Sequence, residues 1–285
     1  MEKPGPAADA LAALTPERPL VLAGAGKMGG ALLAGWLKAG LRAAALRVVD
    51  PAAPAPTSAL LARVAGRVEA APPEGLTAGA LVIAVKPQAL GETLPAFRPL
   101  VGPDTLVLSI AAGITLATLG NMVGGGQVVR SMPNTPAQIG QGITVAVAAP
   151  GVGDAQRALA TALLSAAGSV EWVADEGLID AVTAVSGSGP AYVFLLAETL
   201  AEAGVAVGLP AELARRLADA TISGAGALLA ATGDDPATLR KNVTSPNGTT
   251  AAALDVLMAK DGLAPLIRRA AAAAKKRAEE LAKGG

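Results

Sequence analysis

The chain has 285 residues, enough for about two domains, and its 23 Lys and Arg side chains balance 23 Asp and Glu side chains. This balance argues against a nucleic-acid partner, which requires a basic surface. The sequence contains no cysteine and no histidine, which excludes disulfides, metal sites with Cys or His ligands, and catalysis by a histidine base. Any enzymatic proton transfer must therefore use carboxylates, lysines, hydroxyl groups or water.

The amino-terminal segment and the longest apolar stretch bear on the location of the protein. Residues 1–18 contain several prolines and acidic residues and no continuous apolar run, so we predict a partly disordered lead-in and no signal peptide. Glu198 and Glu202 interrupt the apolar stretch Ala191–Leu209, which argues against a membrane-spanning helix. We therefore expect a cytoplasmic protein that does not contact membranes.

The first half of the chain alternates apolar runs of strand length with segments of helical periodicity. The runs without polar alternation are Leu20–Ala23, Leu46–Asp50, Leu81–Val85, Leu106–Ile110 and Ile143–Val147. Such runs are typical of parallel strands that are covered by helices on both faces. Helical segments such as Met28–Ala39 separate them, so the sequence predicts a doubly wound α/β domain over residues 1–173.

From about Asp175 the pattern changes, and it predicts an all-helical domain over residues 174–285. The predicted helices are Asp175–Val185, Ala191–Val205, Ala211–Ala231, Thr249–Lys260 and Leu263–Lys283. Small residues dominate where these helices would meet, as in Ser223–Ala231. Because this half has few bulky residues with which to close a core alone, we expect it to pack against a second copy of the chain.

A glycine-rich loop follows the first predicted strand directly and opens the first predicted helix. The sequence is GAGKMG, a GxGxxG pattern that begins at Gly24. Gly24 would allow the tight turn, Gly26 would let the backbone approach a pyrophosphate, and Gly29 would allow close packing of the helix on the strand. The context of strand and helix favours a dinucleotide-binding loop over a simple glycine turn. The predicted cofactor contacts in this loop are Gly24, Ala25, Gly26, Lys27 and Met28.

Three further segments lie where they could border the same cofactor. Asp50 ends the second predicted strand. An acidic residue at this position can accept a hydrogen bond from the ribose diol of NADH and would repel the 2′-phosphate of NADPH. The alternative is that Asp50 only begins the turn Asp50-Pro51. The other two segments follow the third and fourth predicted strands, at the edge of the sheet where ligands bind in such folds. Their predicted contacts are Ala84, Val85, Lys86, Pro87, Ala111 and Ala112.

The residues that are missing restrict the chemistry. The only tyrosine, Tyr192, is followed four positions later by Leu196, so the Tyr-x-x-x-Lys pair of short-chain dehydrogenases is absent. No lysine lies between Lys86 and Lys241, which leaves no central lysine to act as a proton carrier. Reduction of a carbonyl creates an alkoxide and needs an acid, whereas reduction of a protonated imine yields a neutral amine directly. The sequence therefore favours C=N reduction over C=O reduction.

Two small-residue segments lie in the helical half. The segment SPNGTT, from Ser245 to Thr250, leads into a predicted helix. Its unpaired backbone amides and its hydroxyl groups could bind a carboxylate. The alternative is an ordinary N-cap, in which the Ser and Thr side chains accept hydrogen bonds from those amides. The segment Ser186–Ala191 could allow a substrate or a partner helix to approach closely. Its alternative is a turn between helices, with Pro190 at the first helical position.

Together these motifs resemble pyrroline-5-carboxylate reductases. The matching strings are GAGKMG from Gly24, AVKPQ from Ala84, SMPNTP from Ser131, DAVTAVSGSGPAYVF from Asp180 and VTSPNGTT from Val243. They occur in the order of the family and extend from about Leu20 to Lys260. The last two strings are long and specific, whereas GxGxxG alone is not.

The resemblance implies a Rossmann dinucleotide-binding domain followed by an all-helical dimerisation domain, with dimers that assemble into larger rings. It implies reduction of 1-pyrroline-5-carboxylate to L-proline by NADPH or NADH, without a metal. The substrate carboxylate would contact Ser245 and the amides of Gly248 and Thr249, and the Thr250 hydroxyl would face the ring nitrogen, orienting the substrate rather than protonating it. The resemblance further places Asn247 in the substrate loop and Asn134 and Pro136 near the nicotinamide.

Two positions depart from the pattern of the family. Asn247 stands where many members have glycine, although Asn tolerates the left-handed backbone that such a turn needs. Asp50 stands where members that prefer NADP tend to have small polar residues, so the preference between NADPH and NADH stays open. Two other functions also stay open: reduction of a different imine, and a dinucleotide-binding regulator without turnover.

Overall fold

A computed structural model describes residues 6–282 of the chain. The strands are β1 (Leu20–Ala23), β2 (Leu46–Val49), β3 (Val68–Glu69), β4 (Ala80–Ile83), β5 (Leu106–Ser109), β6 (Gln127–Met132), β7 (Gly142–Ala148) and β8 (Gly168–Trp172). The α-helices are α1 (Pro6–Ala12), α2 (Lys27–Lys38), α3 (Ala55–Ala62), α4 (Leu90–Thr93), α5 (Leu116–Val123), α6 (Asp154–Ser165), α7 (Leu178–Val182), α8 (Gly189–Ala206), α9 (Ala211–Thr232), α10 (Pro236–Asn242), α11 (Thr249–Leu257) and α12 (Leu263–Ala282). The chain divides into two compact units, residues 6–187 with 275–282, and residues 188–274.

The first unit contains one 8-stranded sheet in the order β3-β2-β1-β4-β5-β6-β7-β8. The strands from β3 to β6 are parallel, β7 is antiparallel to β6, and β8 is parallel to β7. The order reverses between β1 and β4, which are neighbours although β2 and β3 come between them in the chain. This is a doubly wound sheet, and the predicted α/β fold class is confirmed.

Every residue of β1, β4 and β5 is buried, because helices cover both faces of the sheet. Leu20 and Leu22 of β1 pack with Trp36 of α2 in one apolar cluster. Val21 and Ala23, which point to the opposite face, pack in a second cluster that includes Phe97. Burial on both faces explains why these strands are continuous apolar runs without polar alternation.

The amino-terminal segment differs from its prediction. The structure forms α1 over Pro6–Ala12 where we expected a partly disordered lead-in over residues 1–18. Leu11 and Leu14 are buried in the same apolar cluster as α2 and α6, and this packing gives a short helix the stability that it lacks in isolation. The prediction is therefore wrong for this part of the segment, and residues 1–5 lie outside the described residues.

Three strands were not predicted, and each lacks a clear local signal. The strand β3 has only two residues, and β8 is a partly exposed edge strand that carries Glu171. The strand β6 contains the charged Arg130 between Val129 and Ser131, yet the Arg130 side chain is buried. The compact units also divide after Gly187, later than the predicted boundary at residue 173, because Ile179 of α7 packs against Val145 and Val147 of the sheet.

Within residues 6–282 no strand follows β8, as predicted.

One correction concerns the predicted turn between helices at Ser186–Ala191. Residues Thr183–Gly187 form a π-helical turn that leads into α8. Pro190 is the second residue of α8 rather than the first. The short helix α10 was not predicted. The stretch Leu178–Ala206 is long and apolar enough to cross a membrane by length and composition alone, which is weak evidence because the core helices of soluble proteins pass the same test.

The helical unit leaves much apolar surface uncovered. Only Ala214 and Ala218 are buried among its residues, both on α9. Exposed apolar side chains on α8 include Val193, Phe194 and Leu195, and Phe194 is 65% exposed. An apolar surface of this kind marks an interaction site in a soluble protein, in agreement with the expectation that this half packs against a second copy.

Candidate active site

The glycine loop lies at the point where the strand order of the sheet reverses. Gly24 follows β1 with a φ of +90°, and a Cβ atom at this position would lie 2.8 Å from the carbonyl oxygen of Ala84, which follows β4. Both the left-handed backbone and this close approach require glycine. The loops after β1 and β4 therefore meet at the carboxyl edge of the sheet, as the sequence predicted.

The amino terminus of α2 is open to an anionic ligand. Gly26 is its N-cap residue, and no side chain caps this helix end. A Cβ atom at Gly26 would meet no atom within 4 Å, so the backbone there faces free space. Lys27 is exposed and Met28 half-buried in the first turn. Uncapped first-turn amides beside free space fit the pyrophosphate of a dinucleotide.

Asp50 is bound to the glycine loop. Its Oδ2 accepts a hydrogen bond from the backbone N–H of Ala25 at 2.7 Å, and its Oδ1 accepts one from the backbone N–H of Ala52 at 2.8 Å. The second bond is the local turn that the sequence offered as an alternative role for Asp50. The first bond was not foreseen from the sequence, and a contact with a ribose stays a prediction.

The segments after β4, β5 and β6 lie along the same edge. Val85 is half-buried, and Lys86 and Pro87 are exposed at the start of a 3₁₀ turn. Ala111 and Ala112 follow β5, where the Ala111 N–H donates to Ser109 Oγ at 3.2 Å. The sheet therefore places the predicted cofactor residues of five strand ends at one edge.

Asn134 and Pro136 follow β6 at this edge, near the beginning of a 3₁₀ turn. The Asn134 side-chain Oδ1 accepts a hydrogen bond from the backbone N–H of Ile143 at 3.0 Å, which ties the segment to β7. This bond fixes the orientation of the amide group, so its nitrogen points away from Ile143. A contact between that nitrogen and a nicotinamide stays a prediction.

The predicted substrate loop, SPNGTT, forms a tight turn in the helical unit. The Gly248 N–H donates to the carbonyl oxygen of Ser245 at 3.1 Å, and Asn247 has a φ of +56°. Pro246 and Asn247 therefore occupy the central positions of the turn, where proline and a residue with positive φ are favoured. The expectation that Asn maintains this turn in place of Gly agrees with the geometry.

The same turn leads into α11 without a side-chain cap. Gly248 is the N-cap residue, and no side chain accepts a hydrogen bond from the first turn of α11, whereas Asp235 caps α10 through the Thr238 N–H. The ordinary N-cap that the sequence left open is therefore not what the structure shows. A Cβ atom at Gly248 would collide with Ser245 Oγ, so this hydroxyl lies beside the N-cap residue of α11. Thr250, in the first turn, is half-buried.

The sequence missed three residues that hold these segments in place. The Thr57 hydroxyl donates to the carbonyl oxygen of Ala25 at 3.1 Å. The buried Arg130 pairs with Glu176, whose carboxylate also accepts the Leu116 N–H at 2.8 Å, just beyond the loop that follows β5. None of these residues belongs to a recognisable local pattern, because their partners are distant in the chain. Among the described residues, no group of His, Cys, Asp and Glu could hold a metal ion.

The glycine loop lies where the strand order of a doubly wound sheet reverses, which defines a dinucleotide-binding protein. The helical unit that follows has uncovered apolar faces, which indicate that the protein self-associates. Family models agree with each part. Residues 20–113 match the model described as NADP oxidoreductase coenzyme F420-dependent, and residues 176–281 match the model described as pyrroline-5-carboxylate reductase dimerisation. The class is therefore a homo-oligomeric oxidoreductase that uses a nicotinamide cofactor.

Individual relatives narrow the class to one family. The chain is 43% identical to a pyrroline-5-carboxylate reductase of Pseudomonas aeruginosa over 91% of its own length and 95% of that protein. The structure of a pyrroline-5-carboxylate reductase from Coxiella burnetii matches with a TM-score of 0.84 and 32% identity, covering 93% of this chain and 98% of that one. A Plasmodium falciparum pyrroline carboxylate reductase solved with NADP bound matches with a TM-score of 0.77 and 28% identity, covering 94% and 99%. The chain belongs to the pyrroline-5-carboxylate reductase family.

Proposed function

We propose that this chain reduces the C=N bond of 1-pyrroline-5-carboxylate to give L-proline, the last step of proline biosynthesis, with SPNGTT as its substrate loop. The observation that carries the assignment of this loop is the uncapped amino terminus of α11, with Ser245 Oγ beside its N-cap residue Gly248. Unpaired amides and the positive end of a helix dipole together favour a carboxylate. The substrate carries one carboxylate, and the ring that bears it needs little further polar contact.

Each residue of the loop has a separate role in this proposal. Ser245 donates its hydroxyl to the substrate carboxylate, and the Gly248 and Thr249 amides point to the same group. Asn247 holds the turn through its left-handed backbone. Thr250, half-buried one position into the helix, hydrogen-bonds the ring nitrogen and fixes the face of the ring that is reduced.

The reaction needs no acidic side chain at the reacting carbon. The imine is protonated before reduction, so addition of hydride to its carbon converts the iminium into a neutral amine without a further proton. This agrees with a chain that has no histidine at all. Thr250 and Ser245 therefore act by orienting the substrate, which brings the reacting atoms to within about 3–3.5 Å.

The carboxyl edge of the sheet holds the cofactor in this proposal. The amides of Gly26, Lys27 and Met28 bind the pyrophosphate, and the segments after β4, β5 and β6 border the nicotinamide half. When bound, the reduced nicotinamide supplies the hydride. We propose NADPH as the cofactor, with NADH as the alternative that Asp50 would favour if its carboxylate faced the ribose, because an aspartate repels a 2′-phosphate.

The proposal extends to assembly and location. The uncovered faces of α8 and the other helices of this unit pack against a second copy, and the dimers assemble into a larger ring. In this proposal the functional domains divide near residue 173, where the sheet ends, although α7 packs on the sheet and the compact units divide after Gly187. We place the protein in the cytoplasm, where it contacts neither membranes nor nucleic acid, in keeping with its balanced charge.

Absorbance of the reduced cofactor tests this proposal. The purified protein should oxidise NADPH, NADH or both when DL-1-pyrroline-5-carboxylate is added, and L-proline should appear in equal amount. Parallel assays with other cyclic and acyclic imines control for a different substrate, since a clear preference for one of them would reject proline synthesis. If both cofactors bind and neither is oxidised with any imine, the protein is a dinucleotide-binding regulator instead.

A further inference from the structure

The second residue of the glycine loop, Ala25, is held on both sides of its backbone. Its N–H donates to Asp50 Oδ2 at 2.7 Å, and its carbonyl oxygen accepts from Thr57 Oγ1 at 3.1 Å. Ala25 is completely buried and Thr57 is 6% exposed, so the Thr57 bond is buried, and the Asp50 bond is partly buried. The loop that follows β2 and the helix α3 therefore together clamp the loop that follows β1.

Asp50 is itself rigidly placed. Its backbone N–H donates to the carbonyl oxygen of Glu69 at 3.0 Å, which extends the pairing of β2 with β3 by one residue. Its second carboxylate oxygen accepts the Ala52 N–H at 2.8 Å. A side chain fixed by its backbone and by both of its oxygens can hold another loop in one position.

Thr57 is equally constrained. It lies in the first turns of α3, and a Cβ atom at Gly30 would lie 3.1 Å from its Oγ1. The helices α2 and α3 therefore approach closely at this hydroxyl. Because Ala25 sits between Gly24, with its left-handed backbone, and Gly26, the N-cap of α2, its two hydrogen bonds set the direction of the first-turn amides.

We propose that Asp50 and Thr57 are positioning residues that hold the glycine loop for the cofactor pyrophosphate, and that Asp50 acts mainly through this loop rather than by selecting between NADH and NADPH. The inference rests on the proposed function only in that a dinucleotide binds at this loop. It differs from the ribose interpretation in a measurable way. Loss of a ribose contact weakens NADH and leaves NADPH bound as well or better, because the repulsion of the 2′-phosphate is removed, whereas a displaced pyrophosphate loop weakens both cofactors, which share the pyrophosphate.

Direct binding separates these interpretations without relying on turnover. The dissociation constants of NADH and NADPH are measured by nicotinamide fluorescence on the full-length protein and on Asp50→Ser. We expect both constants to rise by similar factors, about tenfold each, because the lost bond has a charged acceptor. The matched control is Asp104→Ser, an exposed aspartate at the opposite edge of the sheet, before β5, which should leave both constants unchanged.

Thr57 supplies the second variant pair. Thr57→Val keeps the shape of the side chain and removes the hydroxyl, and it should raise both dissociation constants about threefold to fivefold. Thr57→Ser returns a hydroxyl and should recover most of the lost affinity. Thermal unfolding of each variant shows whether it is still folded. If Asp50→Ser does not fold, the dissociation constants of Thr57→Val and Thr57→Ser, compared with those of Asp104→Ser, decide the test.

Opposite results overturn the proposal in distinct ways. If Asp50→Ser weakens NADH while NADPH binds as well or better, Asp50 is a ribose selector. If neither constant changes, or if Thr57→Ser is as impaired as Thr57→Val, the clamp has no role in binding. Wild-type protein that binds neither cofactor would reject the proposed function itself, an outcome distinct from these.

Discussion

Arg130 and Glu176 form an ion pair that joins β6 to the segment before α7, with 3.0 Å between Nη1 and Oε1. The Arg130 side chain is 3% exposed, and its Nη2 lies 3.5 Å from Asp180 Oδ1. Its Nε is buried and has no hydrogen-bond partner among residues 6–282. A guanidinium placed this deeply depends on both carboxylates, because each compensates part of its lost hydration.

Replacing Arg130 should therefore destabilise the first unit. Arg130→Met keeps most of the apolar volume and removes the charge, which leaves Glu176 and Asp180 without their cation. We expect a loss of about 2–3 kcal/mol in the free energy of unfolding, below the range for fully buried pairs because the Glu176 side chain is 31% exposed. Urea unfolding measures this loss.

The control for Arg130→Met is Arg215→Met, which removes ion pairs with Asp219 and Glu212, and all three of these side chains are more than half exposed. That variant should cost no more than about 1 kcal/mol. Equal losses in the two variants would show that burial of Arg130 adds nothing to its ion pairs.

Thr250→Ala should mainly lower turnover and weaken substrate binding. The hydroxyl is proposed to orient the ring nitrogen, so its loss should reduce kcat/KM for 1-pyrroline-5-carboxylate about tenfold to a hundredfold while the cofactor dissociation constant stays near normal. Steady-state kinetics and cofactor titration give the two values. Thr232→Ala, which removes an exposed hydroxyl at the end of α9, serves as the control. Equal damage to substrate and cofactor binding would argue against this role of Thr250.

The backbone of Asn247 makes a different prediction for the same loop. With a φ of +56°, this position penalises β-branched side chains most and glycine least. Asn247→Val should raise KM for the substrate much more than Asn247→Gly does, with a difference of about 1–2 kcal/mol, or roughly fivefold to thirtyfold. If Val and Gly raise KM equally, the left-handed turn does not shape the substrate site.

Charge on the uncovered face of α8 should prevent self-association. Phe194 is 65% exposed within one chain, and a charge introduced there would be buried if a second copy covers it. Phe194→Glu should therefore shift the protein toward monomer in light scattering coupled to size exclusion. Glu74→Lys, which changes an exposed charge in the first unit, should not change the mass. An unchanged mass for Phe194→Glu would place the interface elsewhere.

Much of the fold was predictable because its signals are local. The strands β1, β4 and β5 are apolar runs whose burial on both faces is written in their composition, and the GxGxxG pattern placed the glycine loop after β1. Asn247 could be assigned a left-handed backbone because few other residues tolerate one. Each of these inferences needs only neighbouring residues.

Other features depended on partners far away in the chain. The strand β6 was not predicted because an arginine in the sequence indicates an exposed position. In the structure Arg130 is buried and pairs with Glu176 and Asp180, which are distant in the chain. The helix α1 forms where prolines suggested disorder, because Leu11 and Leu14 are buried against the core. Residues 183–187 continue as a π-helical turn where glycines suggested a break.

The sequence by itself determined the class of fold and the family, and it predicted the segments that would bind ligands, since periodicity, glycine spacing and the SPNGTT string are properties of contiguous residues. Only the tertiary structure decided what Asp50 contacts. Its carboxylate could have ended a turn or faced a ribose, and the sequence offers both interpretations equally. The fold brings Ala25 within 2.7 Å of it across 25 positions of the chain, because β1 and β2 are adjacent and parallel. A hydrogen bond between residues that distant in sequence exists only once the sheet has formed.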